Sequence, residues 1–268
     1  MLGKLLKYEF QATARTFIPM YIMMLLISLT YGILSGDSFQ FLSTLNNIVL
    51  IIFVGIFVAL MVTTLIVLIQ RFNTNLLGDE GYLMFTLPIS PKYLIFSKLV
   101  SMIVWYFISF IVGIVSIGLL MSRIIPFGEY MYSFIMPIYY IGESLGISLT
   151  SISIVIKIIQ LIFNTILILM TNILLIYLSI TIGKTFFTKY VGIISFVIYL
   201  VLNNVIGYIY GSQTLNYVFD VANSLSNEYE FYNFLSTGLN IVTIVNVILV
   251  LVLMEVINLL LTKKLELA

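Results

Sequence analysis

The chain contains no cysteine and no histidine, and charged residues make up only 9% of its 268 positions. Without cysteine there is no disulfide, no thiolate metal ligand and no cysteine nucleophile. Without histidine, imidazole-based zinc sites, hydrolase triads and imidazole proton relays are excluded as well. The formal net charge of +1 argues against a nucleic-acid partner, which recruits basic surfaces. We therefore predict no enzyme activity, no catalytic residue, no metal site and no cofactor bound by this chain.

Apolar residues dominate what is present: 62% of the chain is hydrophobic, and its mean hydropathy is +1.18. A soluble domain of this size needs far more charge to cover its surface, whereas lipid lets apolar side chains face outward. A helix needs roughly 20 largely apolar residues to cross a membrane. The sequence predicts an all-α integral membrane protein, a single domain over 1–268 with six transmembrane helices. The predicted spans are 17–34, 45–69, 99–121, 158–182, 190–210 and 239–261.

The placement of lysine and arginine predicts the orientation. With a cytoplasmic N-terminus, ten basic residues fall in inner segments, and only Arg123 and Lys157 fall in outer ones. This positive-inside bias predicts that both termini are cytoplasmic, and it favours an even number of spans. A cleaved signal peptide over 1–36 is the alternative. It is disfavoured because the apolar run is long and no small-x-small cleavage site follows it.

Residues 2–15 have an amphipathic helical pattern. Apolar side chains fall on one face, and on another fall the polar side chains Lys4, Lys7, Gln11 and Arg15. We predict an interfacial helix that lies along the membrane with its cations toward lipid phosphates before the chain turns into the first span. The alternative is a basic flank that only sets topology.

The segment 75–87, between the second and third spans, is too short and too acidic to cross a membrane. As a helix it has one apolar and one polar face, and Pro88 ends it. Ser90 then caps a new helix whose first residue is Pro91. We therefore predict a short cytoplasmic amphipathic helix at this position.

The two longer outer segments, 122–157 and 211–238, are rich in aromatic residues, and acidic residues outnumber basic ones in them. An aromatic belt at the outer membrane interface accounts for this composition. The alternative is that these segments line an exit for an amphipathic cationic substrate. Polar residues from Ser151 to Asn164 also interrupt the start of the fourth span, so an interfacial placement of that part is a second interpretation.

Few polar groups fall inside the predicted spans. Glu255 is the only acid well inside one, and Asn203, Asn204 and Asn246 are among the asparagines of the last three spans. Ion pairing and interhelical hydrogen bonds are the structural interpretation of these residues. A translocation path that includes all four is the functional interpretation.

Gly183-Lys184-Thr185 has the ending of a phosphate-binding loop but not its beginning. That motif needs a glycine five residues before its second glycine, and Leu178 occupies the position. We interpret Lys184 and Lys189 as charges that set topology.

The segment 71–91 resembles the corresponding segment of bacterial ABC-2 type ABC transporter permeases. Its core reads NLLGDEGYLMFTLP over 75–88, and the opening MLGKLLKYEF is similar to the start of the same permeases. With six spans and cytoplasmic termini, the resemblance covers essentially the whole chain.

This resemblance implies a multi-pass subunit of the bacterial cytoplasmic membrane, surrounded by lipid, that exports a hydrophobic or amphipathic substrate such as a peptide, drug or lipid. Its implied partners are two copies of an ABC ATP-binding subunit, which hold ATP and Mg²⁺, and a second permease copy, either identical or a sister chain. The segment 75–87 is then a coupling helix that contacts the ATPase through Asp79, Glu80, Tyr82 and Phe85. Residues 2–15 correspond to the elbow helix, and 211–238 to the outer re-entrant segment.

Two other functions remain as alternatives at this stage. One is a channel or secondary transporter that works without ATP, for which Glu255 is the only intramembrane acid available. The other is a membrane scaffold or immunity protein that binds a peptide without moving it. ATP-dependent flux in vesicles separates both of them from an exporter.

Overall fold

The structure, a computed structural model, describes residues 2–34, 40–78, 90–122, 125–133, 136, 152–224 and 228–266. Within these ranges the chain is helical and contains no strand. A short helix covers 127–133. The six long helices are α1 (Leu2–Leu34), α2 (Gln40–Leu77), α3 (Pro91–Met121), α4 (Ile152–Phe186), α5 (Val191–Ser224) and α6 (Glu228–Glu266).

Each of the six long helices is long and apolar enough to cross a membrane. Each predicted span lies within one of them, apart from Tyr190, which falls one residue before α5. The prediction of a helical chain with six candidate spans is therefore confirmed. The start of the fourth span, where polar residues suggested an interruption, belongs to the continuous helix α4.

The helices extend well beyond the apolar runs that predicted them. Helix α6 has 39 residues, about 58 Å at 1.5 Å per residue, whereas the hydrocarbon core of a bilayer is about 30 Å thick. Residues 2–15 and 17–34 likewise form one helix, α1, with Pro19 inside it. The predicted turn between an elbow helix and the first span is therefore absent. The amphipathic pattern itself is present, since Lys4, Lys7 and Arg15 are exposed while Phe17 is fully buried.

The connection between α2 and α3 is described only at its two ends. Residues 75–77 are the last turn of α2 and do not begin a separate helix. The rest of the predicted coupling helix, with Asp79, Glu80, Tyr82 and Phe85, lies outside the described residues. Helix α3 begins at Pro91, as predicted, and the backbone N–H of Tyr93 donates to the carbonyl of Ser90 at 3.0 Å.

Parts of both predicted outer segments, 122–157 and 211–238, belong to the long helices. Helix α5 continues through 211–224, and α6 begins at Glu228, so 228–238 is helical as well. Helix α4 includes 152–157. In the segment 122–157, residues 123–124, 134–135 and 137–151 lie outside the described residues.

The chain divides into two compact units. The first contains 1–70 and 100–140, and the second contains 71–99 and 141–268. Helices α2 and α3 therefore contribute to both units. The last residues of α2 and the first residues of α3 belong with α4, α5 and α6.

The core of the first unit is an aromatic cluster around Trp105 of α3. The Trp105 ring stacks on Phe17 of α1 with ring centroids 4.8 Å apart, and its Nε1–H donates to Thr13 Oγ1 at 2.7 Å. A second hydrogen bond joins the same helices, between Tyr21 OH and Ser109 Oγ at 2.7 Å. Because the indole N–H has a partner, the whole tryptophan side chain can be buried.

The second unit is built around α4, the most buried of the six candidate spans. Tyr177 of α4 stacks on Phe72 of α2 with ring centroids 4.0 Å apart and an interplanar angle of 9°. About two turns beyond Tyr177, Lys184 Nζ donates to the Leu77 carbonyl at the C-terminal end of α2, at 3.2 Å. Lysine is favourable there because helix C-terminal carbonyls are unpaired and carry partial negative charge.

A tight turn connects α4 to α5. Tyr190 closes it with a φ of 55°, in the left-handed region. The two helices then pack closely at Gly183, where an added Cβ would lie 2.1 Å from Ser195 Oγ. Gly183 is therefore a packing residue, which accounts for a glycine at this place without any phosphate.

We expect Gly183→Ala to lower the free energy of unfolding by about 1–2 kcal/mol, because the new methyl group overlaps Ser195. The substitution Gly192→Ala is the matched control, since nothing lies within 4 Å of a Cβ built there. In a Ser195→Ala background the loss should largely disappear. Unfolding in mixed micelles, followed by far-UV circular dichroism, measures all of these variants. An equal loss in both backgrounds would contradict the assigned contact.

Candidate functional site

A continuous row of polar side chains connects three helices of the second unit. We call this row the polar seam. Its members are Lys157, Gln160 and Asn164 of α4, Tyr210 of α5, and Asn240, Thr243 and Asn246 of α6.

One part of the polar seam, around Lys157 and Gln160 of α4, joins α4 to α6. Gln160 Nε2 donates to Asn240 Oδ1 at 2.8 Å and to Thr243 Oγ1 at 3.1 Å. Lys157 Nζ donates to Gln160 Oε1 at 3.1 Å and to Asn240 Oδ1 at 3.5 Å. These contacts satisfy polar groups that would be costly in a low-dielectric environment without partners.

The other part of the polar seam, around Asn164 and Asn246, is buried and also includes Tyr210 of α5. Asn164 Nδ2 donates to Thr243 Oγ1 at 2.8 Å, and Asn246 Nδ2 donates to Asn164 Oδ1 at 3.4 Å. The hydroxyl of Tyr210 donates to Asn246 Oδ1. Asn246 is 0% exposed and Asn164 is 5% exposed. Interhelical hydrogen bonds of this kind contribute about 0.6–2 kcal/mol each in membranes, so the seam fixes how the three helices pack.

A cavity lies beside the Tyr210 end of the polar seam. It has a volume of about 350 Å³ and is lined by Ile168, Thr171, Asn172, Leu175, Asn203, Ile206, Gly207, Tyr210 and Val242. Tyr210 belongs to both the cavity and the seam. None of the lining residues that the structure describes is charged, and their polar groups are hydroxyls and carboxamides.

The four residues of the predicted translocation path lie in three different places. Asn246 is in the polar seam, and Asn203 lines the cavity. Asn204 lies next to Asn203 in sequence, but its Nδ2 donates to the Leu200 carbonyl of its own helix at 2.8 Å. The structure therefore brings Asn203 and Asn246 into one region, through Tyr210, and leaves Asn204 outside it.

Glu255 forms an ion pair with Lys92 of α3, one residue after Pro91. The carboxylate and the ammonium are each about half exposed, at 54% and 49%. A pair this open contributes only about 0–1 kcal/mol to stability. Its structural role is to connect the start of α3 to α6.

Sequence reasoning did not connect Gln160, Asn240, Thr243 and Tyr210 with each other. A signal was present, because Lys157, Gln160 and Asn164 have the i, i+3, i+7 spacing of one helical face. The three polar residues of α6, at 240, 243 and 246, have a similar spacing. Two polar stripes of equal length on apolar helices favour direct pairing between those helices.

Comparisons with protein-family models, with curated proteins and with solved structures give no match. The fold and the polar contacts of the described residues therefore carry the functional argument. They show a helical chain with six candidate membrane spans. The C-terminal end of α2 and the N-terminal end of α3 contact α4 and α6, two of the helices that form the polar seam.

Proposed function

We propose that this chain is the membrane-spanning permease subunit of an ATP-driven exporter in the bacterial cytoplasmic membrane. Its substrate is hydrophobic or amphipathic, and its energy comes from two separate ATP-binding subunits. It works as a pair with a second permease copy. The observation that supports the proposal best is the attachment of both flanks of the segment 79–89 to the helices that hold the polar seam.

The N-terminal flank of this segment is attached to α4. Lys184 donates to the last carbonyl of α2, that of Leu77, and the stacked rings of Phe72 and Tyr177 hold the preceding turns. A force on the C-terminal end of α2 therefore acts on α4 directly, through one hydrogen bond and one aromatic contact.

The C-terminal flank is attached to α6. Lys92, in the first turn of α3, pairs with Glu255 of α6. Because Pro91 begins α3 and Lys92 lies in its first turn, displacement of the start of α3 acts on α6 through the pair with Glu255.

Helix α4 connects the attachment point to the polar seam. Lys184 and Asn164 are twenty residues apart on one continuous helix, about 30 Å at 1.5 Å per residue. In the proposed mechanism, closure of the ATP-binding subunits pushes the segment 79–89, and α4 and α6 carry this displacement to the seam. Repacking of the seam then opens the path between the two permease copies to the outside.

The test is a charge reversal in the proposed contact with the ATPase. In a complex purified with its ATP-binding partner, we expect Glu80→Lys to lower the ATPase activity that co-purifies with the chain about tenfold, because a charge-assisted contact becomes repulsive. The matched control is Glu129→Lys, a reversal at an exposed residue of the short helix 127–133. If the two variants retain equal activity and equal amounts of partner, the proposal is wrong.

The polar seam favours one second candidate, a channel or secondary transporter that works without ATP. A row of hydrogen-bonding side chains across a helix interface is also what a polar solute path requires. This candidate predicts solute flux in vesicles that contain the purified chain alone. Flux that needs both the ATP-binding partner and ATP excludes it.

A further inference from the structure

The cavity between α4, α5 and α6 has the chemistry of a binding site for one class of molecule. Its aliphatic lining residues are Ile168, Leu175, Ile206 and Val242, and its polar ones are Thr171, Asn172, Asn203 and Tyr210. With no acid or base among the lining residues that the structure describes, a charged ligand would lose its hydration without gaining a counter-ion there. The lining therefore selects against ions and favours uncharged, largely apolar molecules.

Two of the polar lining groups already use their donors within the protein. Asn172 Nδ2 donates to the Ile168 carbonyl at 2.9 Å, and Thr171 Oγ1 donates to the Leu167 carbonyl at 2.9 Å. The hydroxyl of Tyr210 is likewise bound, to Asn246. Thr171 and Tyr210 can still accept hydrogen bonds but have no second hydroxyl hydrogen to donate, and Asn172 keeps one of its two N–H groups.

Asn203 is different, because nothing in the described part of the chain hydrogen-bonds its carboxamide. It lies within the candidate span of α5, where an unpaired amide is costly in contact with lipid. Its side chain presents a donor and an acceptor next to each other. An uncharged ligand group that satisfies both at once is another carboxamide.

The cavity is preformed on the side of Tyr210. The bond from Tyr210 to the fully buried Asn246, and from there to Asn164, holds this wall in place through contacts within the protein. A fixed wall lowers the ordering cost of binding. The volume of about 350 Å³ accommodates about a dozen non-hydrogen atoms, at roughly 30 Å³ for each water-sized group.

We propose that this cavity binds an uncharged amphiphile of about a dozen non-hydrogen atoms, in which one carboxamide pairs with Asn203 and an apolar chain fills the aliphatic lining. Decanamide has this size and chemistry and serves as the probe. The proposal concerns binding by the chain itself and is independent of ATP-driven export, so either proposal can fail while the other stands.

The experiment is photolabelling of the full chain in lipid nanodiscs with decanamide that carries a terminal diazirine. Label should be found by mass spectrometry on peptides that contain 168–175 and 203–210. We expect unlabelled decanamide to halve this labelling at a bilayer mole fraction about tenfold below that required of decanoate or dodecane. Decanoate tests the exclusion of charge, and dodecane tests the need for the carboxamide.

Paired variants test whether Asn203 causes the preference for decanamide over dodecane. Asn203→Leu should bring decanamide competition down to the level of dodecane, and Asn203→Gln, which keeps a carboxamide, should retain part of the preference. Asn204→Leu is the matched control, because that amide bonds its own helix and does not line the cavity. Size-exclusion profiles and helical circular dichroism confirm that each variant is folded.

Three results would overturn the proposal. The first is label spread evenly over lipid-facing peptides, which shows partitioning into the bilayer alone. The second is equal competition by the three competitors in the unmodified protein. The third is an equal loss of preference in Asn203→Leu and Asn204→Leu.

Discussion

Replacing Trp105 with alanine is expected to lower the free energy of unfolding by about 2–3 kcal/mol. In water-soluble cores a change of this kind costs about 3–5 kcal/mol, which includes the transfer of the ring from water. Lipid is as apolar as the protein interior, so in this chain mainly the loss of packing remains. That loss is large because the ring is 5% exposed and lies against Phe10, Phe17 and Tyr21.

Two companion variants separate packing from hydrogen bonding at this position. Thr13→Val removes only the partner of the indole N–H and should cost about 1 kcal/mol. Phe110→Ala, on the exposed side of the same helix, should cost little. Unfolding by sodium dodecyl sulfate, followed by far-UV circular dichroism, gives all three values. If Phe110→Ala and Trp105→Ala lose the same stability, the aromatic cluster is not a core.

The second large effect is expected from Asn246→Leu. Asn246 accepts from Tyr210 and donates to Asn164, and it is fully buried. Leucine leaves the Tyr210 hydroxyl and Asn164 Oδ1 without their partner, so we expect a loss of about 1–3 kcal/mol. Because Tyr210 also lines the cavity, the same variant should weaken decanamide competition in the photolabelling experiment, although residue 246 does not line it.

Asn172→Leu is the matched control for this variant. Asn172 is exposed, and its amide bonds the carbonyl of its own helix, so its loss breaks no contact between helices. We expect a change in stability within about 0.5 kcal/mol. The same unfolding measurement applies, and equal losses in the two variants would show that the polar seam does not hold the helices together.

The six long apolar helices could be predicted from the sequence because apolar runs of sufficient length are a local property. Their ends could not, because a helix continues into polar surroundings wherever its flanking residues tolerate helical geometry. Residues 2–15 illustrate this: their amphipathic pattern was predicted and is present, but they continue into the first span as one helix instead of turning before it. Pro91 is a local signal of another kind, and it placed the start of α3 correctly.

The candidate site was less predictable because it depends on pairing between distant residues. Asn203 and Asn204 are neighbours with identical side chains, and only the rotation of α5 in the fold decides which of them lines the cavity. Glu255 and Lys92 are separated by 163 positions, so the sequence indicates that Glu255 needs a partner but not which one. The stripe spacing on α4 and α6 was the one signal that reached across helices.

The short turn that ends with Tyr190 has a consequence for biosynthesis. A connection of only four residues, 187–190, is too short to cross a bilayer, so the face that the end of α4 reaches must also hold the start of α5. Lys184, near the end of α4, and Lys189, within the turn, carry charge that opposes passage of this turn through the membrane. During synthesis, the orientation that α4 takes in the membrane therefore fixes that of α5.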